Sequence, residues 1–164
     1  STIDGMVAGD FDGDGNLDVV MNTNDYGTEV SVGRYDALNG LFLKGNGKGG
    51  FTAETIQQSG IYIPGNGKAL IALKGADNKC LIAAGQNRGP LKVFQPNKQL
   101  HVINIQPSDI SALITYMDGK KQKQEFYYGA SFLSQSSRFL QPGDKIRSIE
   151  ILDNKGSKRT VLSR

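Results

Sequence analysis

The sequence predicts an all-β protein built from short antiparallel strands. Glycine is frequent, at 21 of 164 residues, and few stretches show the periodicity of an amphipathic helix. Short apolar runs rich in β-branched residues alternate with turn sequences along the whole chain. A chain with this pattern buries its apolar side chains by pairing strands through tight turns. Its length is enough to bury the core of one ordinary domain or of two small ones.

The first predicted element is a β-hairpin whose strands, residues 5–8 and 17–21, flank an acidic loop. The loop has carboxylates at positions one, three, five and nine and a glycine at position six; these residues are Asp10, Asp12, Asp14, Asp18 and Gly15. Carboxylates at this spacing can direct their oxygens to one centre, as calcium requires. Without a cation they would repel one another, so the loop is a candidate calcium site.

Two features distinguish this loop from an EF-hand. Its flanks are predicted strands rather than helices, and position twelve is Met21 instead of a bidentate glutamate. We expect Asn16 to offer its backbone carbonyl and Gly15 to permit the sharp bend, while the side-chain ligands are Asp10, Asp12, Asp14 and Asp18. The alternative is an acidic, glycine-rich surface turn that binds nothing.

Further strands follow in two similar units. The first unit, residues 1–58, contains predicted strands at 41–44 and 51–54 around a glycine turn, and residues 29–32 are either a strand or an extended loop. The second unit, residues 59–96, contains strands at 69–73, 80–84 and 91–94. Its loop keeps only Asp77, so we interpret it as a degenerate copy without a cation, with a repeat period of about sixty residues.

Residues 97–164 are predicted to form a separate β module. The expected strands are residues 100–105, 112–116, 124–128, 145–152 and 158–162. An Asp118-Gly119 turn joins the second of these strands to the third.

The strand-flanked aspartate loop resembles the FG-GAP, or VCBS, repeat. That resemblance implies four-stranded blades of a β-propeller, of which this chain would supply about two, as part of a longer propeller. It also implies Ca²⁺ held by Asp10, Asp12, Asp14 and Asp18 and by the carbonyl of Asn16. The run from Phe132 to Ser137 resembles the core of an ASPIC/UnbV module, which implies a small sandwich-like or barrel-like domain, although the usual tryptophan-proline pair is absent.

Catalytic chemistry is not indicated. His101 lies in an apolar run without a nucleophile motif, and Cys80 lies in another, where a buried small hydrophobe is expected. The glycine-rich stretches at 45–49 and 65–69 lack the spacing of a phosphate-binding loop and are interpreted as hairpin turns. The basic run at 120–123 follows a turn and indicates a solvated hairpin rather than a nucleic-acid surface.

The acidic charge is concentrated around the loop. Residues 1–40 contain eight acidic side chains and one basic one, whereas the rest of the chain is basic and the net charge is +3. We therefore expect a non-catalytic, calcium-binding module of a secreted, periplasmic or cell-surface protein. We expect it to be part of a longer polypeptide that does not insert into a membrane through this chain.

Its partner would be a protein or a carbohydrate, contacted in adhesion, ligand binding or scaffolding, and open sheet edges would favour self-association. The alternative function is an accessory region of a larger polysaccharide-processing enzyme. The aromatic residues that could line a carbohydrate platform are Tyr62, Phe126, Tyr127, Tyr128 and Phe132.

Overall fold

The computed structural model describes residues 2–98, 102–129 and 133–163, and the fold class is all-β, as predicted. Thirteen antiparallel strands are distributed over four sheets in the described residues, and none of these sheets closes into a barrel. A single turn of α-helix and one 3₁₀ turn complete the regular structure of these ranges.

The first sheet is a meander of four consecutive strands in the order β1-β2-β3-β4. Its strands are β1 (Met6–Gly9), β2 (Asp18–Met21), β3 (Leu41–Gly45) and β4 (Phe51–Glu54). The predicted glycine turn between the last two is confirmed, since the Asn46 amide donates to the Gly50 carbonyl at 3.0 Å. The apolar residues of alternate positions, such as Val7 and Val20, are buried, while Met6 and Ala8 are exposed.

Residues 29–32, which were predicted to be either a strand or an extended loop, form a turn in the connection from β2 to β3. The amides of Val32 and Gly33 both donate to the Glu29 carbonyl, at 3.0 and 3.3 Å. A single bridge between Asp25 and Tyr35 closes the base of this excursion. Local backbone hydrogen bonds therefore replace the ladder that a strand would need.

A short helix, α1 (Ile56–Ser59), follows the first sheet and was not predicted. The Thr55 hydroxyl accepts from the Gln58 amide while the Gln58 side chain accepts from the Thr55 amide, which is a capping box. Gly60 ends the helix in the left-handed conformation, with φ of 70°. The sequence signal was the Thr-x-x-Gln spacing, because four residues are too few to show helical periodicity.

The second sheet contains β5 (Asn66–Lys74), β6 (Cys80–Asn87) and β7 (Lys92–Phe94) in consecutive order. The predicted turn at residues 65–68 is wrong in part, because β5 already begins at Asn66. Gly67 lies within β5 rather than in a turn, and it packs closely against Asn22. A Cβ added there would lie 2.8 Å from the Cβ of Asn22. The 3₁₀ turn Ala76–Asn78 joins β5 to β6.

The first two sheets share one hydrophobic core. A single cluster contains buried residues of both sheets, of the acidic loop, of the segment after α1 and of the C-terminal part of the chain: Val7, Phe11, Val20, Phe42, Ile61, Ile63, Leu70, Cys80, Ile82, Ala84 and Val102. The two predicted units therefore bury their apolar side chains against each other. Cys80 is buried, as predicted.

The last two sheets lie in the C-terminal part of the chain. Their strands are β8 (Ile103–Asn104), β9 (Asp109–Tyr116), β10 (Lys121–Glu125), β11 (Phe139–Leu140), β12 (Ile146–Asp153) and β13 (Lys158–Ser163). The larger sheet has the order β10-β9-β12-β13, and β11 pairs with β8 in the smaller one. A second core joins them, with Leu140 from β11 packed among Ile114, Ile149 and Ile151 of the larger sheet.

The predicted strand at 124–128 is displaced in the structure, where β10 ends at Glu125. The turn around Asp118-Gly119 sets the register, because the Tyr116 amide donates to the Lys120 carbonyl at 2.9 Å. Residues 121–123 of the basic run belong to β10, and the whole run lies exposed on the predicted hairpin.

A serine-rich segment connects the two halves of the molecule. The Leu70 and Ala72 amides of β5 donate to the hydroxyls of Ser134 and Ser136, both at 3.1 Å. The Ser137 amide donates to the Ala72 carbonyl at 2.9 Å. The free edge of the second sheet is thus bonded to the C-terminal part of the chain.

Candidate metal centre

The acidic loop lies between β1 and β2, in the β-hairpin that the sequence predicted. Gly9 is paired with Asp18 at the base of the loop, so residues 10–17 form the connection. Gly13 and Gly15 have φ values of 75° and 91°, a region in which a side chain would be strained. These glycines let the chain reverse while its carboxylates stay on one side.

Three of the four loop aspartates converge. Asp10, Asp12 and Asp18 each offer one carboxylate oxygen, and these oxygens lie within 4.8 Å of one another. Two oxygens bound to the same calcium ion are at most about 5 Å apart, since each calcium–oxygen distance is about 2.3–2.6 Å. The spacing of the three carboxylates is therefore compatible with one shared cation.

Asp18 is the innermost of the three and is fully buried. Its carboxylate accepts hydrogen bonds at 3.0 Å from the Phe11 amide within the loop and from the Gly45 amide at the end of β3. Burial raises the pKa of this carboxyl. Asp18 thereby attaches the loop to a third strand of the sheet.

Asp10 is the least satisfied member of the group. One oxygen, Oδ2, accepts from the Gly15 amide at 3.0 Å. The other, Oδ1, is shielded from solvent and has no hydrogen-bond partner in the part of the chain that the structure describes. Burial raises the pKa of the Asp10 carboxyl, because its ionised form is incompletely compensated. A cation at the centre of the loop would satisfy this oxygen.

Asp14 lies outside the converging group. Its Oδ1 accepts from the Asn16 amide at 2.8 Å, and its Oδ2 lies 3.1 Å from Nζ of Lys44. The pKa of Asp14 is lowered: burial opposes the shift, but the hydrogen bond from Asn16 and the pairing with Lys44 outweigh it. The structure thus places this predicted ligand on a lysine instead of on the shared centre.

Lys44 is a site residue that sequence reasoning missed. Its ammonium forms an ion pair with Asp12 as well as with Asp14, and the hydrogen bond to Asp12 raises the pKa of Lys44. The strand register explains its position, since Val19 pairs with Leu43 and the next residue of β3, Lys44, therefore lies at the level of Asp18. The pairing of β2 with β3 therefore brings Lys44 to the loop.

Asn16, predicted as the carbonyl ligand, lies at the exit of the loop. Its amide donates to Asp14, and its side chain lies against Gly47 in the turn between β3 and β4, where a Cβ would clash with the Asn16 amide oxygen. A side chain at position 47 would therefore require the Asn16 side chain to move.

The C-terminal part of the chain holds the loop from the other side. The side-chain amide of Gln141 donates to the Asp10 carbonyl. Nζ of Lys98 donates to the Gly13 carbonyl at 2.5 Å, and Nζ of Lys145 donates to the Asp14 carbonyl at 3.4 Å. None of these long-range contacts has a sequence signal. They orient the loop backbone while leaving its converging carboxylates free to share a cation.

A cleft of about 610 Å³ opens beside the loop, between β1 and β10. Tyr127, one of the predicted platform residues, lines the cleft and is 68% exposed. Phe126 also lines the cleft and packs on the second core. Tyr128 instead lies under the guanidinium of Arg138, whose central carbon is 4.1 Å from its ring centre. Tyr62 is exposed and does not line the cleft. Phe132 and His101 lie outside the described residues.

The fold and the loop define the class of protein: it is an all-β chain with an acidic hairpin loop. Comparison with known proteins assigns it to no family. No protein-family model matches the chain, and no curated protein matches it either. The resemblance to FG-GAP repeats and to the ASPIC/UnbV module therefore stays a prediction. Among the described residues, no helix has the length and apolar character needed to cross a bilayer.

Proposed function

We propose that this chain is a non-catalytic, calcium-stabilised β module of the FG-GAP/VCBS type. The observation that carries the proposal is the shielded, unpartnered oxygen of Asp10 beside two further carboxylates, Asp12 and Asp18. A buried anionic oxygen without a partner is costly, and a shared cation removes that cost.

In this proposal the metal is structural. Asp10, Asp12 and Asp18 would hold it, and calcium would supply positive charge at the point where the loop is most acidic. Asp18 already links the loop to β3 through the Gly45 amide, so neutralising the loop also stabilises the sheet. The free energy of calcium binding then adds to the free energy of folding.

The proposed architecture is about two propeller-type blades followed by a small β module. The four-stranded meander β1-β2-β3-β4 supports the first blade, and the three-stranded sheet β5-β6-β7 supports a degenerate second one. A module stabilised by calcium at roughly 0.1–1 mM suits a secreted, periplasmic or cell-surface protein, because such concentrations occur outside the cell. Its role there would be adhesion, ligand binding or scaffolding.

A second candidate is an accessory region of a larger polysaccharide-processing enzyme. The cleft beside the loop favours it, because an exposed tyrosine and the amides of Gln122 and Gln124 line that cleft. Aromatic faces and amides are the groups that stack on and bond to sugars. Binding of the chain to a polysaccharide array would support this candidate, and loss of that binding in Tyr127→Ala would place the sugar in the cleft.

Calcium is expected to raise the melting temperature of the chain, and Asp12→Ala is expected to abolish that increase. The substitution removes one of three converging carboxylates, so calcium loses a charged ligand. Thermal unfolding followed by circular dichroism in EDTA and at about 2 mM calcium would measure the shift. Asp118→Ala, in the exposed β9–β10 turn, is the matched control and should keep the full calcium response.

A melting temperature of the unaltered chain that does not change at millimolar calcium would contradict the proposal. Equal calcium responses of Asp12→Ala and Asp118→Ala would also contradict it, because the stabilising ion would then bind elsewhere.

A further inference from the structure

Lys44 occupies a distinctive position among the lysines around the loop. Its ammonium contacts the carboxylates of Asp12 and Asp14, whereas Lys98 and Lys145 reach loop carbonyls. In the described part of the chain, no other basic side chain forms an ion pair with a carboxylate of the loop. Lys44 therefore supplies the positive charge that lies closest to the converging aspartates.

We propose that Lys44 is a tethered countercation of the loop, which calcium must displace from Asp12 in order to bind. The inference rests on the calcium-binding function proposed above and adds a regulatory element to the same site. Lys44 keeps the loop folded when calcium is scarce, and it sets the calcium concentration at which the site fills.

Competition follows from the shared carboxylate. Asp12 belongs to the converging group and is also the residue with which Lys44 pairs. An ammonium and a divalent cation at the same carboxylate repel each other, so each weakens the binding of the other. The Lys44 side chain is 40% exposed, and its flexible stem leads to solvent, so it can leave without disturbing β3.

The Asp10 carboxylate is the part of the site that Lys44 does not satisfy. Its shielded Oδ1 has no partner in the described residues even with the ammonium in place. The lysine therefore compensates Asp12 and Asp14 and leaves the Asp10 carboxylate for a cation. This division is the reason that calcium can still win the competition.

The test is to replace Lys44 by methionine, which has a similar stem and no charge. Calcium binding to Lys44→Met, measured by isothermal titration calorimetry, should tighten about tenfold, the change that about 1.4 kcal/mol produces. In EDTA, its melting temperature should fall by about 3 °C, since the loop carboxylates lose their countercharge. Lys48→Met is the matched control: this lysine is exposed in the β3–β4 turn, and the substitution should change neither quantity.

Lys44→Arg keeps the charge and should resemble the unaltered chain in both measurements. Unchanged calcium affinity in Lys44→Met, with calcium binding intact in the unaltered chain, would overturn the role of Lys44 alone. Absence of calcium binding in every variant would overturn the proposed function as well, and binding only in Lys44→Met would support the competition. Failure of Lys44→Met to fold even at 10 mM calcium would also overturn the inference, because calcium should replace the lost charge.

Discussion

Asp109 is the most thoroughly bonded carboxylate of the C-terminal sheet. Its side chain is fully buried and receives both terminal nitrogens of Arg159, at 2.5 and 2.6 Å, and the Gln106 amide at 2.7 Å. The hydrogen bonds from Arg159 are the main reason that the pKa of Asp109 is lowered. This bidentate pair links the start of β9 to β13, so the charge has a structural role.

Asp109→Asn is expected to lower the free energy of unfolding at pH 7 by about 3 kcal/mol, because it leaves Arg159 without its buried partner. A lowered folded-state pKa contributes stability that is present above the unfolded pKa of about 4 and lost as the pH falls through the folded value. The deficit of the variant should therefore shrink in acid. Urea denaturation in EDTA at pH 7 and pH 3 measures it.

The exposed Asp36→Asn is the control for this comparison, and it should change the free energy of unfolding by less than about 0.5 kcal/mol. A deficit of Asp109→Asn that stays constant between the two pH values would show that the charge of Asp109 does not contribute.

The edge strands of the sheets differ in what limits their pairing with another chain. The edge strand β5 is covered by the serine segment, and β13 and β10 carry basic side chains that discourage pairing with another chain. The edge strand β1 carries no charged residue and faces the cleft. Unwanted strand pairing is thus opposed by coverage in one sheet and by charge in another.

Ser136→Ala is expected to lower the free energy of unfolding by about 1 kcal/mol, because the Ala72 amide loses its acceptor. Hydrogen exchange at Ala72 should accelerate relative to the unaltered chain, which mass spectrometry of peptides from β5 can measure. Ser157→Ala, in an exposed turn, should leave both quantities unchanged. An Ala72 amide that stays equally protected in Ser136→Ala would contradict the role assigned to this hydroxyl.

The first two sheets approach so closely that a side chain does not fit between them at Gly5. A Cβ added there would lie 2.7 Å from the Leu70 nitrogen and 2.8 Å from the Leu70 Cβ. The contact joins the residue before β1 to the middle of β5, at the first hydrophobic core. The glycine is required by space, and its backbone needs no left-handed conformation.

Gly5→Ala is expected to lower the free energy of unfolding of the whole chain by about 2 kcal/mol, because the added methyl forces the sheets apart. Gly129→Ala is the control, since a Cβ there meets no atom of the described residues within 4 Å. Urea denaturation followed by intrinsic fluorescence and circular dichroism would measure both. Equal stability of the two variants would show that the sheets separate without cost.

Local patterns were sufficient for much of the architecture. The hairpin that holds the acidic loop, the Gly45–Gly50 turn and the alternation of short strands all follow from residues adjacent in sequence. The predicted position of β10 was wrong because the apolar run after Glu125 suggested a strand. The turn at Asp118 instead makes the pairing with β9 begin at Lys121. The helix α1 was missed because its signal is a capping pair instead of a period.

The sequence by itself determined that this chain is all-β and that four carboxylates and the turning Gly15 belong to one acidic hairpin. The tertiary structure decided which carboxylates converge: Asp10, Asp12 and Asp18 share a centre, while Asp14 turns to Lys44. The physical reason is the range of the interactions. Turn chemistry acts between neighbours in sequence. Burial and countercharge depend on the pairing of β2 with β3, which brings Lys44 to the loop, and on the packing of the C-terminal part of the chain, which brings Lys98 and Gln141.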